Sequence, residues 1–160
     1  RLDLLARIVR LELTDRLREK LGQAYSPSAG SSTSNIYPGY GTFTVSASVA
    51  ADAVDAARGA VAGLIADLRA GPLDPDLIER ARKPLLEEYI NYLKDLGGWL
   101  ALAARAQSEP ERLDRFRAAP DVIRAITPDD LHRAALRYLD PEGAVAFTVM
   151  PEAAGESPAR

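Results

Sequence analysis

The chain has 160 residues, of which 47% are hydrophobic and 27% charged, and its net charge is −3 at neutral pH. These values are typical of one globular domain that can bury a core, and they give no electrostatic reason to expect nucleic acid or an anionic membrane as a partner. Cysteine is absent, which excludes disulfides, thiolate nucleophiles and cysteine zinc sites. No apolar run approaches the roughly 20 residues that a transmembrane segment needs.

Residues 2–21 have the pattern of an amphipathic helix. Apolar side chains recur every four residues: Leu5, Val9, Leu13, Leu17 and Leu21. This spacing predicts one stripe that faces a core. Gly22 follows where a left-handed residue would end the helix. Because helical register begins at Arg1 without an N-cap, we expect the chain to be a fragment of a longer polypeptide.

Two strands are predicted after this helix. Residues 23–35, rich in serine, threonine and alanine, predict the first, and a Pro38-Gly39 turn signal follows. The next residues alternate strictly, with Phe43, Val45, Ala47 and Val49 on one face and Thr42, Thr44, Ser46 and Ser48 on the other. This alternation predicts a half-buried antiparallel strand in a hairpin with the first strand.

Helices and one more strand are predicted in the rest of the chain. Asp52 is expected to cap a helix over residues 54–68, and Asp74-Pro75 to start a long helix. Later boundaries are expected at Gly97-Gly98, Pro110, Pro120 and Thr127. Residues 144–150 predict a final buried strand, and residues 152–160 a disordered tail.

The order of these elements predicts an α+β fold. An antiparallel or mixed sheet would be covered on one face by the first helix and the helix over residues 54–68. We expect one domain over residues 1–151, followed by the tail at residues 152–160.

Zinc is not expected in this chain. His132 is the only histidine, and a catalytic zinc needs three protein ligands, usually including two or more histidines or cysteines. Asp129 and Asp130 do not complete such a set. We therefore expect His132 to be an exposed helix residue.

Other chemical motifs are incomplete. The serines of residues 31–34 lack a G-x-S-x-G elbow and an adjacent base, so a polar strand segment is predicted there. Glu87 and Glu88 point about 100° apart on a helix and are predicted to be solvated. The Gly39-Tyr40-Gly41 run lacks the remainder of a phosphate-binding fingerprint.

Arg18 and Tyr25 flank the reversal at Gly22. Their spacing alone favours local roles, since arginine is a favourable cation near a helix C-terminus and tyrosine is a good strand residue. The reversal would also allow both side chains to point toward one place. Their surroundings carry a more specific indication.

The run LREKLGQAYS at residues 17–26 resembles a signature of the C-terminal domains of pitrilysin/insulinase-type (M16) zinc metallopeptidases. In those domains it closes the first helix and opens a strand. Further segments resemble the family in the same order: residues 39–49 its second strand, 80–92 its long helix, 126–131 a helix start, and 138–141 with 145–151 its ending.

The resemblance implies an M16 (LuxS/MPP-like) metallohydrolase half-domain that lacks the family's first strand. The family's zinc is held by an inverted His-x-x-Glu-His motif in an N-terminal catalytic domain, so zinc is expected there and not in this chain. The C-terminal domain faces that domain across a cleft and supplies an arginine and a tyrosine, seven positions apart, to the substrate backbone. Arg18 and Tyr25 match this spacing, and the resemblance implies a substrate-binding role for both.

The function implied is that of a non-zinc-binding, substrate-clamping domain of a zinc peptidase, inactive by itself. Its partners would be a peptide or protein substrate and a catalytic M16 domain or subunit. Similarity to bacterial members with paired halves implies a periplasmic location. An alternative from another class is a non-catalytic M16-like subunit that holds peptide or supports an assembly. A blander alternative is a structural domain in which Arg18 and Tyr25 only pack.

Overall fold

The computed structural model describes residues 1–21, 26–34 and 36–150. The elements, in chain order, are α1 (Leu2–Leu21), β1 (Ser28–Thr33), β2 (Gly41–Ser46), α2 (Val54–Ala70), α3 (Pro75–Tyr92), α4 (Leu96–Ala103), α5 (Arg112–Arg124) and α6 (Pro128–Tyr138). Short 3-10 turns at Ala51–Ala53 and Pro141–Gly143 flank the block of helices. The described chain is therefore α+β, mostly helical, with a two-stranded antiparallel sheet.

α1 is the central element of the fold, and its predicted bounds are confirmed. It contacts β1, α2, α3 and α6. Its apolar side chains fill the core, and six of them are at most 1% exposed: Leu4, Leu5, Ile8, Val9, Leu13 and Leu17. Two adjacent stripes are buried instead of one, because α1 is covered on several sides.

The predicted hairpin is also confirmed, with shorter strands. β1 and β2 pair from Ser28 opposite Ser46 to Thr33 opposite Gly41. Phe43 and Val45 are half-buried and pack against the core, while the alternating hydroxyl residues are exposed. Ala47 is exposed, contrary to prediction, because β2 ends at Ser46. The sheet lies on α1, whereas α2 packs against α1 and α6.

Several predicted helix boundaries are wrong. Asp52 makes no cap, because it lies in the 3-10 turn before α2 and that helix has no side-chain cap. Gly97 and Gly98 lie inside the first turn of α4, and a Cβ at Gly98 would collide with the Tyr92 carbonyl oxygen. Gly98 thus allows α4 to lie close to the end of α3. Pro120 lies within α5, which continues to Arg124 because Ile123 is buried there.

The third strand predicted at residues 144–150 is wrong. The segment is described, but it is not paired as a strand. Val145, Phe147 and Val149 are 77%, 89% and 94% exposed. In the described residues β1 and β2 pair only with each other, so this alternating segment lacks the hydrogen-bonded partner that a strand requires. The predicted tail at residues 152–160 lies outside the described residues.

Candidate functional site

Arg18 lies in the last turn of α1, where the local sequence favours a cation. Its side chain is 68% exposed. Within the described part of the chain, its recorded ion pair is with Asp15, at 3.8 Å from Arg18 Nη1 to Asp15 Oδ1. The other oxygen of Asp15 lies 3.6 Å from Arg80 Nη2 of α3. Two arginines thus share one exposed carboxylate, and neither contact is short enough to be a hydrogen bond.

Tyr25, the other residue of the predicted pair, lies outside the described residues, as does Gly22. Of the predicted pair, the structure therefore describes only Arg18. The exposure of its guanidinium leaves it accessible to a ligand.

His132 is not exposed as predicted. It is half-buried between α6 and the end of α2, and its Nε2 lies 3.1 Å from the carbonyl oxygen of Arg69. Within residues 1–21, 26–34 and 36–150, no group of three or more potential ligands could hold a metal ion.

Three of the serines and carboxylates singled out in the sequence, Ser31, Ser34 and Glu88, have structural partners. Ser31 Oγ donates a hydrogen bond of 2.7 Å to Asp3 Oδ1 of α1. Ser34 Oγ accepts the backbone N–H groups of Ile36 and Tyr37 in the hairpin loop. Glu88 is exposed, but it also accepts both terminal nitrogens of Arg7, which joins α3 to α1.

A groove of about 700 Å³, missed by the sequence reasoning, lies beside β1 and between α1, α3 and α5. We call it the arginine groove after four of its lining residues, Arg7 and Arg10 of α1 and Arg112 and Arg115 of α5. The only local signal for it was the pair Arg7 and Arg10, which share one face of α1. Its other side comes from α5, which is remote in the sequence.

Aromatic rings form one wall of the arginine groove. The Phe116 ring lies 5.1 Å from that of Tyr89 and 5.2 Å from that of Tyr92, centroid to centroid, in tilted pairs. Burial, with further effects from Asp3 and Glu88, raises the pKa of Tyr89, and Arg7 opposes this. The Tyr89 hydroxyl therefore stays protonated and can act as a hydrogen-bond donor.

Comparison with known proteins identifies the family. The family model for the peptidase M16 inactive domain matches residues 1–85, which include α1, the hairpin, α2 and the first half of α3. The match spans more than half of the chain, and the chain therefore belongs to this family. None of the curated proteins matches it. No helix in the described ranges is long and apolar enough to cross a membrane.

Proposed function

We propose that this chain is the non-zinc-binding, substrate-clamping domain of an M16-type zinc peptidase. Arg18 is the observation that carries the proposal. It lies in the family-matched region, in the last turn of the helix whose apolar residues fill the core, with its side chain 68% exposed and only loosely paired. Arginine offers fixed donors for substrate carbonyl groups, and Tyr25 would add a hydroxyl donor.

Zinc belongs, in this proposal, to a catalytic partner domain or subunit. The described residues supply no ligand set for it. On closure of the two domains, Arg18 and Tyr25 would hold the substrate backbone opposite the metal and orient the scissile bond. A periplasmic location and a half-domain fold with a strand ahead of α1 are finer parts of the same proposal. The exposed apolar side chains of residues 144–150 are compatible with such a larger sheet.

The test is kinetic and uses the complete enzyme. Arg18→Ala is expected to lower kcat/KM for a peptide substrate by roughly 10- to 150-fold, because a hydrogen bond to a charged group is worth about 1.5–3 kcal/mol. Arg18→Lys should recover only part of this loss, since the planar fork is gone. Tyr25→Phe, which removes only a hydroxyl, should also slow turnover.

Arg124 offers a matched control. It lies in the last turn of α5, is 54% exposed and pairs with Asp121 three residues earlier, as Arg18 pairs with Asp15. Arg124→Ala should leave kcat/KM unchanged. Wild-type kinetics in both Arg18→Ala and Tyr25→Phe would rule out the clamp.

The alternative is a non-catalytic M16-like subunit that binds peptide or supports an assembly. Both functions share the exposed Arg18, but only the first requires an inverted zinc motif in the complete protein or its partner subunit. Zinc analysis of the purified complex, together with a peptidase assay, separates the two.

A further inference from the structure

The arginine groove has the dimensions and the surface of a binding site. Its volume of about 700 Å³ is within the range of 300–1,000 Å³ that is usual for ligand sites. One wall is aromatic, formed by Tyr89, Tyr92 and Phe116. The residues that line it include one more arginine than carboxylates, so its charge favours an anionic ligand.

The carboxylates in the groove are already occupied. Asp3 accepts the hydroxyl of Ser31, and Glu88 accepts the guanidinium of Arg7. Glu109 lies 3.3 Å from a guanidinium nitrogen of Arg112 and 3.3 Å from one of Arg115. Glu88 and Glu109 therefore neutralise the arginines nearest to them.

One donor remains without such a partner in the described ranges. Arg10 lines the groove with an exposed side chain, and no described carboxylate pairs with it. A ligand that carries carboxylate or carbonyl oxygens would satisfy this guanidinium.

β1 indicates what kind of ligand fits. Ala29, Gly30 and Ser31 line the groove, and in the described residues β1 pairs only with β2. The second edge of β1 can therefore accept the main chain of an extended peptide, as in other cases of strand addition. A small anion would leave this edge unused. The strand edge thus favours a peptide over a free anion.

We propose that the arginine groove binds an extended acidic peptide segment, which adds to the free edge of β1 and places a carboxylate against Arg10. The peptide's apolar side chains would pack on the aromatic wall. This site is separate from Arg18, so the proposal does not depend on the clamp.

The test is a fluorescence anisotropy titration of the full-length protein with two labelled octapeptides. One alternates valine with glutamate, and the other alternates valine with lysine. The glutamate peptide should bind more tightly, and Arg10→Ala should weaken its binding on the order of tenfold, since a charge-assisted hydrogen bond is lost. Arg10→Glu should reverse the preference between the peptides.

Arg58→Ala is the matched control, because Arg58 is an exposed arginine of α2 outside the groove. It removes the same charge and should leave the Kd unchanged. The proposal is overturned if Arg10→Ala and Arg58→Ala behave alike, or if the lysine peptide binds as tightly as the glutamate peptide.

Hydrogen exchange distinguishes a peptide site from a small-anion site. Bound glutamate peptide should slow amide exchange in residues 29–31, because the added strand covers the edge of β1. Free glutarate should compete weakly. Competition by glutarate as strong as that by the peptide, without protection of β1, would mean a small-anion site and would overturn the proposal.

Discussion

Asp130 is the residue whose charge is most strongly coupled to the fold among the described residues. It completes a capping box at the start of α6, where its Oδ2 accepts the backbone N–H of Thr127 at 3.1 Å and Thr127 Oγ1 accepts the N–H of Asp130 at 3.1 Å. Arg133 lies 2.7 Å from its other oxygen. The backbone and hydroxyl of Thr127, and then Arg133, lower the pKa of Asp130 from 3.8 to about 2.

This pKa predicts a pH-dependent contribution to stability. The folded protein holds Asp130 ionised at a pH at which the unfolded chain protonates it, so its contribution is present above about pH 4 and is lost as the pH falls toward 2. Asp130→Asn should therefore lower the melting temperature at pH 7, and the difference from wild type should shrink between pH 4 and pH 2.

Asp129→Asn is the control for this experiment. Asp129 is exposed in the same helical turn, and it takes no part in the capping box. Asp129→Asn therefore removes the same charge as Asp130→Asn without removing a cap. Thermal unfolding followed by circular dichroism measures all three proteins. A difference between Asp130→Asn and wild type that stays constant from pH 7 to pH 2 would contradict the prediction.

At the scale of elements, α2 and α6 are far apart in the sequence but cap each other's C-terminal ends. Arg69 of α2 donates from Nη1 to the carbonyl oxygens of Leu136 at 2.8 Å and Leu139 at 3.3 Å, near the end of α6. His132 of α6 in turn contacts the carbonyl of Arg69, one residue before the end of α2. The last carbonyls of a helix lack hydrogen-bond partners within that helix. Here a side chain of each helix contacts the terminal carbonyls of the other helix.

Arg69→Met should therefore lower the free energy of unfolding by about 1.5–3 kcal/mol, because it removes charge-assisted hydrogen bonds and keeps most of the side-chain stem. Arg69→Lys should recover part of the loss. Urea unfolding provides the measurement. Arg58→Met on the exposed face of the same helix is the control and should stay within about 0.5 kcal/mol of wild type. Equal effects of Arg58→Met and Arg69→Met would show that the caps add no stability.

On the scale of the whole molecule, apolar residues divide between a core around α1 and a segment that remains exposed. Leu13 of α1 is 0% exposed and lies within the core cluster, whereas Phe147 is 89% exposed. Exposed apolar residues that alternate along a segment, as Val145, Phe147 and Val149 do, are unusual in a protein without a partner. Leu13 and Phe147 are both strongly hydrophobic, but we expect them to contribute very differently to stability.

Leu13→Ala should lower the free energy of unfolding by about 2–5 kcal/mol, through lost burial and the cavity left in the core. Phe147→Ser should change it by no more than about 0.5 kcal/mol. Urea unfolding of both variants tests this contrast. A large loss for Phe147→Ser would mean that residues 144–150 are buried in solution.

The sequence by itself determined the features that depend on neighbours within one or two turns. The stripe of α1, the alternation around Phe43 and Val45, and the caps at Asp74 and Thr127 all follow from local spacing and were predicted correctly. The motif at residues 17–26 also indicated the family, although the pairing of Arg18 with Tyr25 stays a prediction.

Tertiary structure alone decided where distant segments meet. Gly98 allows α4 to lie close to the Tyr92 carbonyl and does not end a helix. Asp52, which was predicted to cap a helix, lies in a 3-10 turn instead. The arginine groove forms because α5 packs against α3, which no local pattern encodes. The segment at residues 144–150 has the alternation of a strand, but a strand also needs a partner edge. Local propensity fixes the conformation that a segment favours, whereas its burial depends on which other segments the fold brings beside it.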